Sequence, residues 1–225
     1  MIYTIGDIHG ELYQLRKLIE DKIKPSPSDI NIFLGDYIDR GPQSKEVIDY
    51  LLEFEKIYNC VFLKGNHEDM MLFALKNKYH PVYDYDPPLD VWLMNGGRST
   101  LRSYDISVYY KPENIWENEI PEEHKVFYDN LRMYYETDDY YYVHAGLTKN
   151  SPEEADPYEI LWFRYDYPTQ YKLSKNLIYG HTPHKYDIRK EKNKNGALMI
   201  DIDTGCGKGG KLTGYCVETG DYKQT

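Results

Sequence analysis

Apolar residues recur along this chain in two rhythms, and the change between them divides it. Ile2–Ile5 is a short β-rich run, after which Leu12, Leu15, Leu18 and Ile19 return at the spacing of one helix face. Residues 30–34 form a second, mainly apolar run, followed after Pro42 by Val47, Ile48, Leu51 and Leu52, again at helical spacing. Residues 61–63 make a third run, and residues 66–78 read as a third helix. The alternation β-α-β-α-β-α predicts a parallel sheet covered by helices.

From residue 79 the texture changes. Pro81, Pro87, Pro88, Pro112 and Pro121 punctuate segments that can be neither long helices nor central strands. An irregular helical insertion is therefore expected over about residues 79–125. β-rich runs return at 140–143, 177–179, 197–202 and 212–217, with Gly205, Gly207, Gly209 and Gly210 marking turns, and they predict a second sheet that is largely antiparallel. No repeat, low-complexity tract or linker breaks the pattern, so one domain over residues 1–225 with two packed sheets is expected.

With 225 residues, 41% of them apolar, the chain is long enough for one sizeable core. Its 27 basic and 37 acidic residues give a net charge of −10, which argues against duplex nucleic acid as a partner, because phosphate neutralisation needs a basic face. No apolar stretch reaches the roughly 18 residues of a membrane span, and the N-terminal run lacks the basic and apolar regions of a secretory signal. Cys60, Cys206 and Cys216 show no CxxC spacing, so neither a disulfide framework nor a zinc knuckle is predicted. A soluble, cytoplasmic monomer is the expectation. The 25 tyrosines are spread through the chain and read mainly as packing and surface residues.

The polar clusters carry more. In an open α/β arrangement ligands sit beyond the carboxyl ends of the strands. Gly6-Asp7-Ile8-His9-Gly10 follows the first strand, Gly35-Asp36-Tyr37-Ile38-Asp39-Arg40-Gly41 the second, and Gly65-Asn66-His67-Glu68 the third. Asp7, Asp36 and Asn66 are 29 and 30 residues apart, one strand-helix unit each, which places three loops on one rim. His144-Ala145-Gly146 and Gly180-His181-Thr182 follow later β-rich runs in the same way. Singly, each cluster reads as a turn or cap; five of them, each after a strand-like run and each beside glycine, read as one site. Asp7, His9, Asp36, Asn66, His144 and His181 together offer two carboxylates, an amide oxygen and three imidazoles, a set suited to Mn(II), Fe(II) or Zn(II). Six ligands exceed the needs of one four-coordinate ion and imply a pair about 3.5–4 Å apart, with Asp36, on the middle loop, as the bridge.

GDIHG, GDYIDRG, GNHE, HAG and GHT, in this order, resemble the signature set of the calcineurin-like metallophosphoesterases, in particular the phosphoprotein phosphatase family in its compact bacterial and phage form. The resemblance spans residues 2 to about 217 and includes WLMNGG at 92–97, LWFR at 161–164 and IDTGC at 202–206. It implies an α/β fold with a central two-sheet β-sandwich flanked by helices in four layers. It further implies that Asp7, His9 and Asp36 hold one metal and that Asp36, Asn66, His144 and His181 hold the other, with manganese expected and iron or zinc as alternatives. A water between the ions would be the nucleophile. His67 would protonate the leaving oxygen, Asp39 would orient and charge that imidazole, and Arg40 and Arg164 would clamp the phosphate. Glu68 would brace its loop.

The resemblance implies a phosphomonoesterase acting on phosphorylated serine, threonine or tyrosine in a protein, or on a small phosphoester. Within the superfamily the alternative is a symmetrical dinucleoside tetraphosphate hydrolase. Bacterial members of that kind usually carry alanine at the position of Asp39 and GNHD in place of GNHE, so these two positions favour the phosphatase. A noncatalytic binding module is expected to have lost one or more of Asp36, Asn66, His67 and His181, and all are present.

Overall fold

The computed structural model describes residues 1–76, 88–107, 109, 114–164, 171–184 and 187–225. Its first sheet grows from the predicted alternation. β1 (Ile2–Ile5), β2 (Ile30–Phe33) and β3 (Asn59–Phe62) are parallel, with Ile5 opposite Phe33 and Phe33 opposite Phe62. Between them run α1 (Leu12–Arg16), which widens into a π-helical turn over Lys17–Ile23, and α2 (Ser44–Glu55); α3 (Asn66–Lys76) follows β3. On α2, Val47, Ile48 and Leu51 of the predicted stripe are buried and Phe54 extends it, while Leu52 is half-buried. The last two residues expected in the third helix, 77 and 78, lie outside the described residues.

The insertion is helical where it is described: α4 (Pro88–Trp92), a kinked turn over Leu93–Gly97, α5 (Arg98–Ser103), a short turn over Ile115–Glu119, and α6 (Glu122–Asp129). Residues 79–87, 108 and 110–113 of the expected insertion lie outside the described residues. Then come β4 (Tyr134–Glu136), β5 (Tyr140–Val143), α7 (Pro157–Trp162), β6 (Asn176–Tyr179), β7 (Arg189–Lys192), β8 (Leu198–Asp201), β9 (Thr213–Cys216) and β10 (Tyr222–Gln224).

Two expectations about the second half are corrected. The second sheet, ordered β4-β5-β6-β8-β7, is mixed: β5, β6 and β8 are parallel, and only the edge strands β4 and β7 are antiparallel. The long connection from β5 to β6, which contains α7, is what allows a parallel return. The run at 212–217 is not in this sheet at all. As β9 it pairs antiparallel with β1, extending the first sheet to the order β10-β9-β1-β2-β3.

Strand alternation sorts side chains into layers. Ile32, Leu34, Leu63, Tyr142, Ile178, Ile200, Ile202 and Tyr215 fill the space between the sheets. Phe33 and Ile5 face the other way, into the core shared with α1, α2, α3 and the insertion. Tyr141, Val143, Leu177, Tyr179 and Met199 face outward from the second sheet and are covered by Ile160 of α7, Leu147 and Leu173. Helices, two mixed sheets and an outer helix follow one another, as the α/β sandwich expectation required. Among the described residues no helix is long and apolar enough to cross a membrane.

Candidate active site

Every parallel strand except β8 hands its chain directly to one of the five predicted clusters, and the loops meet. The Asp36 carbonyl accepts the N–H groups of Ile8 and His9, the Gly180 N–H donates to the His144 carbonyl, and the His144 ring reaches the carbonyl of Leu34. Asp7, His9, Asp36, Asn66, His67, His144 and His181 are all buried. Five site residues, His9, Asp36, Asp39, Arg40 and His181, adopt positive φ between 51° and 71°. Such backbone is costly for residues with a Cβ and persists only where the surroundings over-determine it.

Glu68 is one such determinant. Its side chain is fully buried, and its carboxylate accepts the backbone N–H groups of Gly65, Asp36 and Tyr37 at 2.8–2.9 Å and of Ile38 at 3.3 Å. It thus ties the second loop to the third, the bracing role expected of it. Gly65 has no substitute here, because a Cβ would lie 2.1 Å from Asp36 Oδ1.

Asp36 sits at the centre. Burial opposes its ionisation, but the imidazoles of His144, His67 and His9 and the Arg40 guanidinium hold its carboxyl far below the usual range. His9 Nδ1–H donates to the Ile38 carbonyl at 3.0 Å, and His144 Nδ1–H to the Leu34 carbonyl at 3.0 Å. Burial, partly offset by Asp36, lowers the proton affinity of both rings. Each neutral ring therefore turns the lone pair of Nε2 inward: that of His9 is 3.4 Å from Asp36 Oδ2, and that of His144 is 3.5 Å from Asp36 Oδ1. Acceptors face acceptors on both sides of one carboxylate, and on the His9 side the cationic Arg40 guanidinium stands among them, so the residues present fit divalent metal ions.

The donor atoms of Asp36, His144 and His181 lie within 4.8 Å of one another, and so do those of His9, Asp36 and His67. Asn66 Oδ1 is 2.9 Å from His144 Nε2 and 2.8 Å from His181 Nδ1, joining the first group. Asp7 is in neither group; its carboxylate accepts the His181 N–H, with Oδ2 at 3.1 Å, and burial together with Asp203 and Asp36 raises its pKa well above the usual range.

His67 is expected as the proton donor, and its surroundings suit that task. Nδ1 is 2.7 Å from Asp39 Oδ2, which leaves Nε2 facing Asp36 Oδ2 at 3.8 Å. Burial acts against the imidazolium, but Asp36 and Asp39 overcome it and raise the pKa. Arg40 donates to His9 Nε2, and its other terminal nitrogen lies 3.0 Å from His67 Nε2, so the guanidinium lies across the same opening. Arg164 is exposed and reaches the Thr182 hydroxyl at 3.4 Å, beside His181.

Four residues escaped the reading of the chain. Trp92 and Thr100 of the insertion, with Ser44 of α2, surround Asp39. Asp203 contributes to the field at Asp7. WLMNGG and IDTGC carried the available signal for Trp92 and Asp203, in segments to which no role was given, and no comparable signal marked Ser44 or Thr100.

The sequence model of the calcineurin-like phosphoesterase family matches residues 1–199. The chain belongs to that family. Among curated relatives of this phosphoesterase is PrpE of Anoxybacillus flavithermus (strain DSM 21510 / WK1), named as an asymmetrical bis(5'-nucleosyl)-tetraphosphatase, 26% identical over 95% of this chain and 89% of its own length. The enzyme of the same name from Bacillus thuringiensis subsp. konkukian (strain 97-27) is 26% identical over 93% of this chain and 87% of its own. The fold is shared with the cold-active protein-tyrosine phosphatase of a Shewanella species, with a TM-score of 0.64 and 17% identity, covering 99% of this chain and 79% of that one.

Proposed function

We propose that this phosphoesterase is a divalent-metal-dependent hydrolase of dinucleoside tetraphosphates, cleaving them unequally into a nucleoside triphosphate and a nucleoside monophosphate. The observation that carries this reading is the near full-length similarity to relatives named for that reaction, joined to a buried donor set around Asp36 that suits phosphoester chemistry. It replaces the protein phosphatase favoured by Asp39 and GNHE. It also differs from the symmetrical cleavage of related enzymes, since these relatives are named asymmetrical.

Asp7, His9 and Asp36 on one side, and Asp36, Asn66, His144 and His181 on the other, would hold two ions, with the mixed carboxylate, amide and imidazole set favouring manganese over a thiolate-seeking metal. When bound, the ions supply Lewis acidity and a water acidified enough to attack phosphorus. Arg40 binds nonbridging phosphoryl oxygens from within the opening, and Arg164 does so from its rim. His67 delivers a proton from Nε2 to the departing oxygen while Asp39 holds Nδ1.

One observation favours hydrolysis of phosphoserine or phosphothreonine as a second reading. A buried acid held by a carboxylate matters most for an alkoxide leaving group, and a departing nucleotide phosphate needs protonation far less.

Incubation of the Mn(II)-loaded protein with diadenosine tetraphosphate, followed by chromatography, tests the proposal. ATP and AMP in equal amounts are expected. Two ADP molecules would assign the symmetrical reaction, and turnover of a phosphoserine peptide without turnover of the dinucleotide would assign the second reading.

A further inference from the structure

The insertion reaches into the site at one point. Asp39 is fully buried and has a φ of 71°, and Arg40 after it has a φ of 69°. The Thr100 hydroxyl donates to Asp39 Oδ1 at 2.6 Å and accepts the N–H of the same residue at 2.9 Å, gripping side chain and backbone together. Trp92 Nε1–H lies 3.1 Å from Oδ1 and 3.0 Å from Oδ2. The Ser44 hydroxyl completes the grip, 3.0 Å from both the Asp39 N–H and the Thr100 hydroxyl. With Thr100 on one oxygen and the indole across both, the direction left open on Oδ2 is the one His67 Nδ1 takes.

The spacing of the segment serves this arrangement. Gly96 has a φ of 118°, kinks the chain between α4 and α5, and passes so close to the catalytic loop that a Cβ would lie 2.8 Å from the Arg40 nitrogen and 3.1 Å from Asp39 Cβ. At Gly97 a Cβ would lie 2.5 Å from Trp92 Cε2, so the indole seats against bare backbone. Trp92 and Thr100 come from two helices and meet at one carboxylate because of that kink.

We infer that Trp92 and Thr100 are positioning residues for proton transfer, fixing the Asp39 carboxylate so that His67 presents Nε2 to the leaving oxygen. This rests on the reading of His67 as the acid. The insertion is then part of the acid's machinery, in addition to forming a wall of the site.

Trp92→Phe removes the indole donor but keeps an aromatic ring, Thr100→Val removes the hydroxyl at equal bulk, Thr100→Ser keeps the hydroxyl, and His67→Asn removes the acid. Each is assayed with Mn(II) on phenyl phosphate, whose leaving group needs protonation, and on p-nitrophenyl phosphate, whose leaving group needs little. For Trp92→Phe and Thr100→Val, kcat on phenyl phosphate should fall by about 10-fold and on p-nitrophenyl phosphate by less than about 3-fold, a fraction of the 10²–10⁴ that general acid catalysis supplies. KM should hold in both cases, and Thr100→Ser should return kcat to near its original level.

Proton NMR of the metal-free protein gives a readout apart from turnover. The far-downfield ring N–H signal that disappears in His67→Asn should move upfield in Trp92→Phe and Thr100→Val. Equal losses on both substrates with an unmoved signal would overturn the inference. If His67→Asn itself lost equally on both substrates, the acid reading would fall, and the ring signal would still decide whether Trp92 and Thr100 position the dyad.

Discussion

Glu68→Gln keeps the volume of the side chain and removes half of its accepting capacity. The carboxylate takes two N–H groups on each oxygen, Gly65 and Asp36 on Oε2 and Tyr37 and Ile38 on Oε1. An amide has one oxygen, and its NH₂ must face two donors. The Oε1 side, with Ile38 at 3.3 Å, is the weaker and the one to be given up. Two buried N–H groups then lose their acceptor at about 1–3 kcal/mol each, or about 4 kcal/mol together. At about 2.1 cal/mol/K per residue, a chain of 225 residues has an unfolding entropy near 0.5 kcal/mol/K, so Tm should drop by about 8 °C. Calorimetry of the metal-free protein measures this. Because the Asp36 backbone hangs on the same carboxylate, Mn(II) affinity should fall in parallel. A Tm loss below about 2 °C would refute the claim that Glu68 holds the strained loop.

Two further outcomes follow from the same geometry. His124 is fully buried between Asp49 and Tyr104, and burial lowers its pKa against the pull of Asp49. The unfolded ring, titrating near 6.5, then takes up protons that the folded ring refuses, so its contribution is complete above that pH and shrinks below it. The Tm gap between wild type and His124→Gln should narrow from pH 7 to pH 5, and a widening gap would contradict this. Gly97→Ala forces a methyl against the Trp92 ring and should cost about 1–3 kcal/mol in urea unfolding, with a change in tryptophan fluorescence; unchanged stability and emission would show that the indole is not seated as described.

What the sequence showed and what it hid differ in kind. β1 to α3 could be read because each element buries one face against its neighbour in the chain, and apolar spacing reports that directly. The five clusters could be read because each lies at the end of a strand. Strand partnership could not: the run at 212–217 has the same texture whether it joins β1 or β8, and only the three-dimensional packing chooses β1. β7, Arg-Lys-Glu-Lys, has no apolar rhythm, because it is an edge strand whose two lysines are exposed and whose Arg189 and Glu191, half-buried, pair with each other. The hold of Trp92 and Thr100 on Asp39 crosses 53 and 61 residues, and nothing local in either stretch points to the other.

Asp36 carries the heaviest role, since its two oxygens face separate sets of imidazole nitrogens. Low-temperature electron paramagnetic resonance during Mn(II) titration tests that role directly. Two ions per chain should bind and give the spectrum of an exchange-coupled pair, and Asp36→Asn should abolish the coupling. A single, uncoupled Mn(II) per chain at saturation would contradict the site described here.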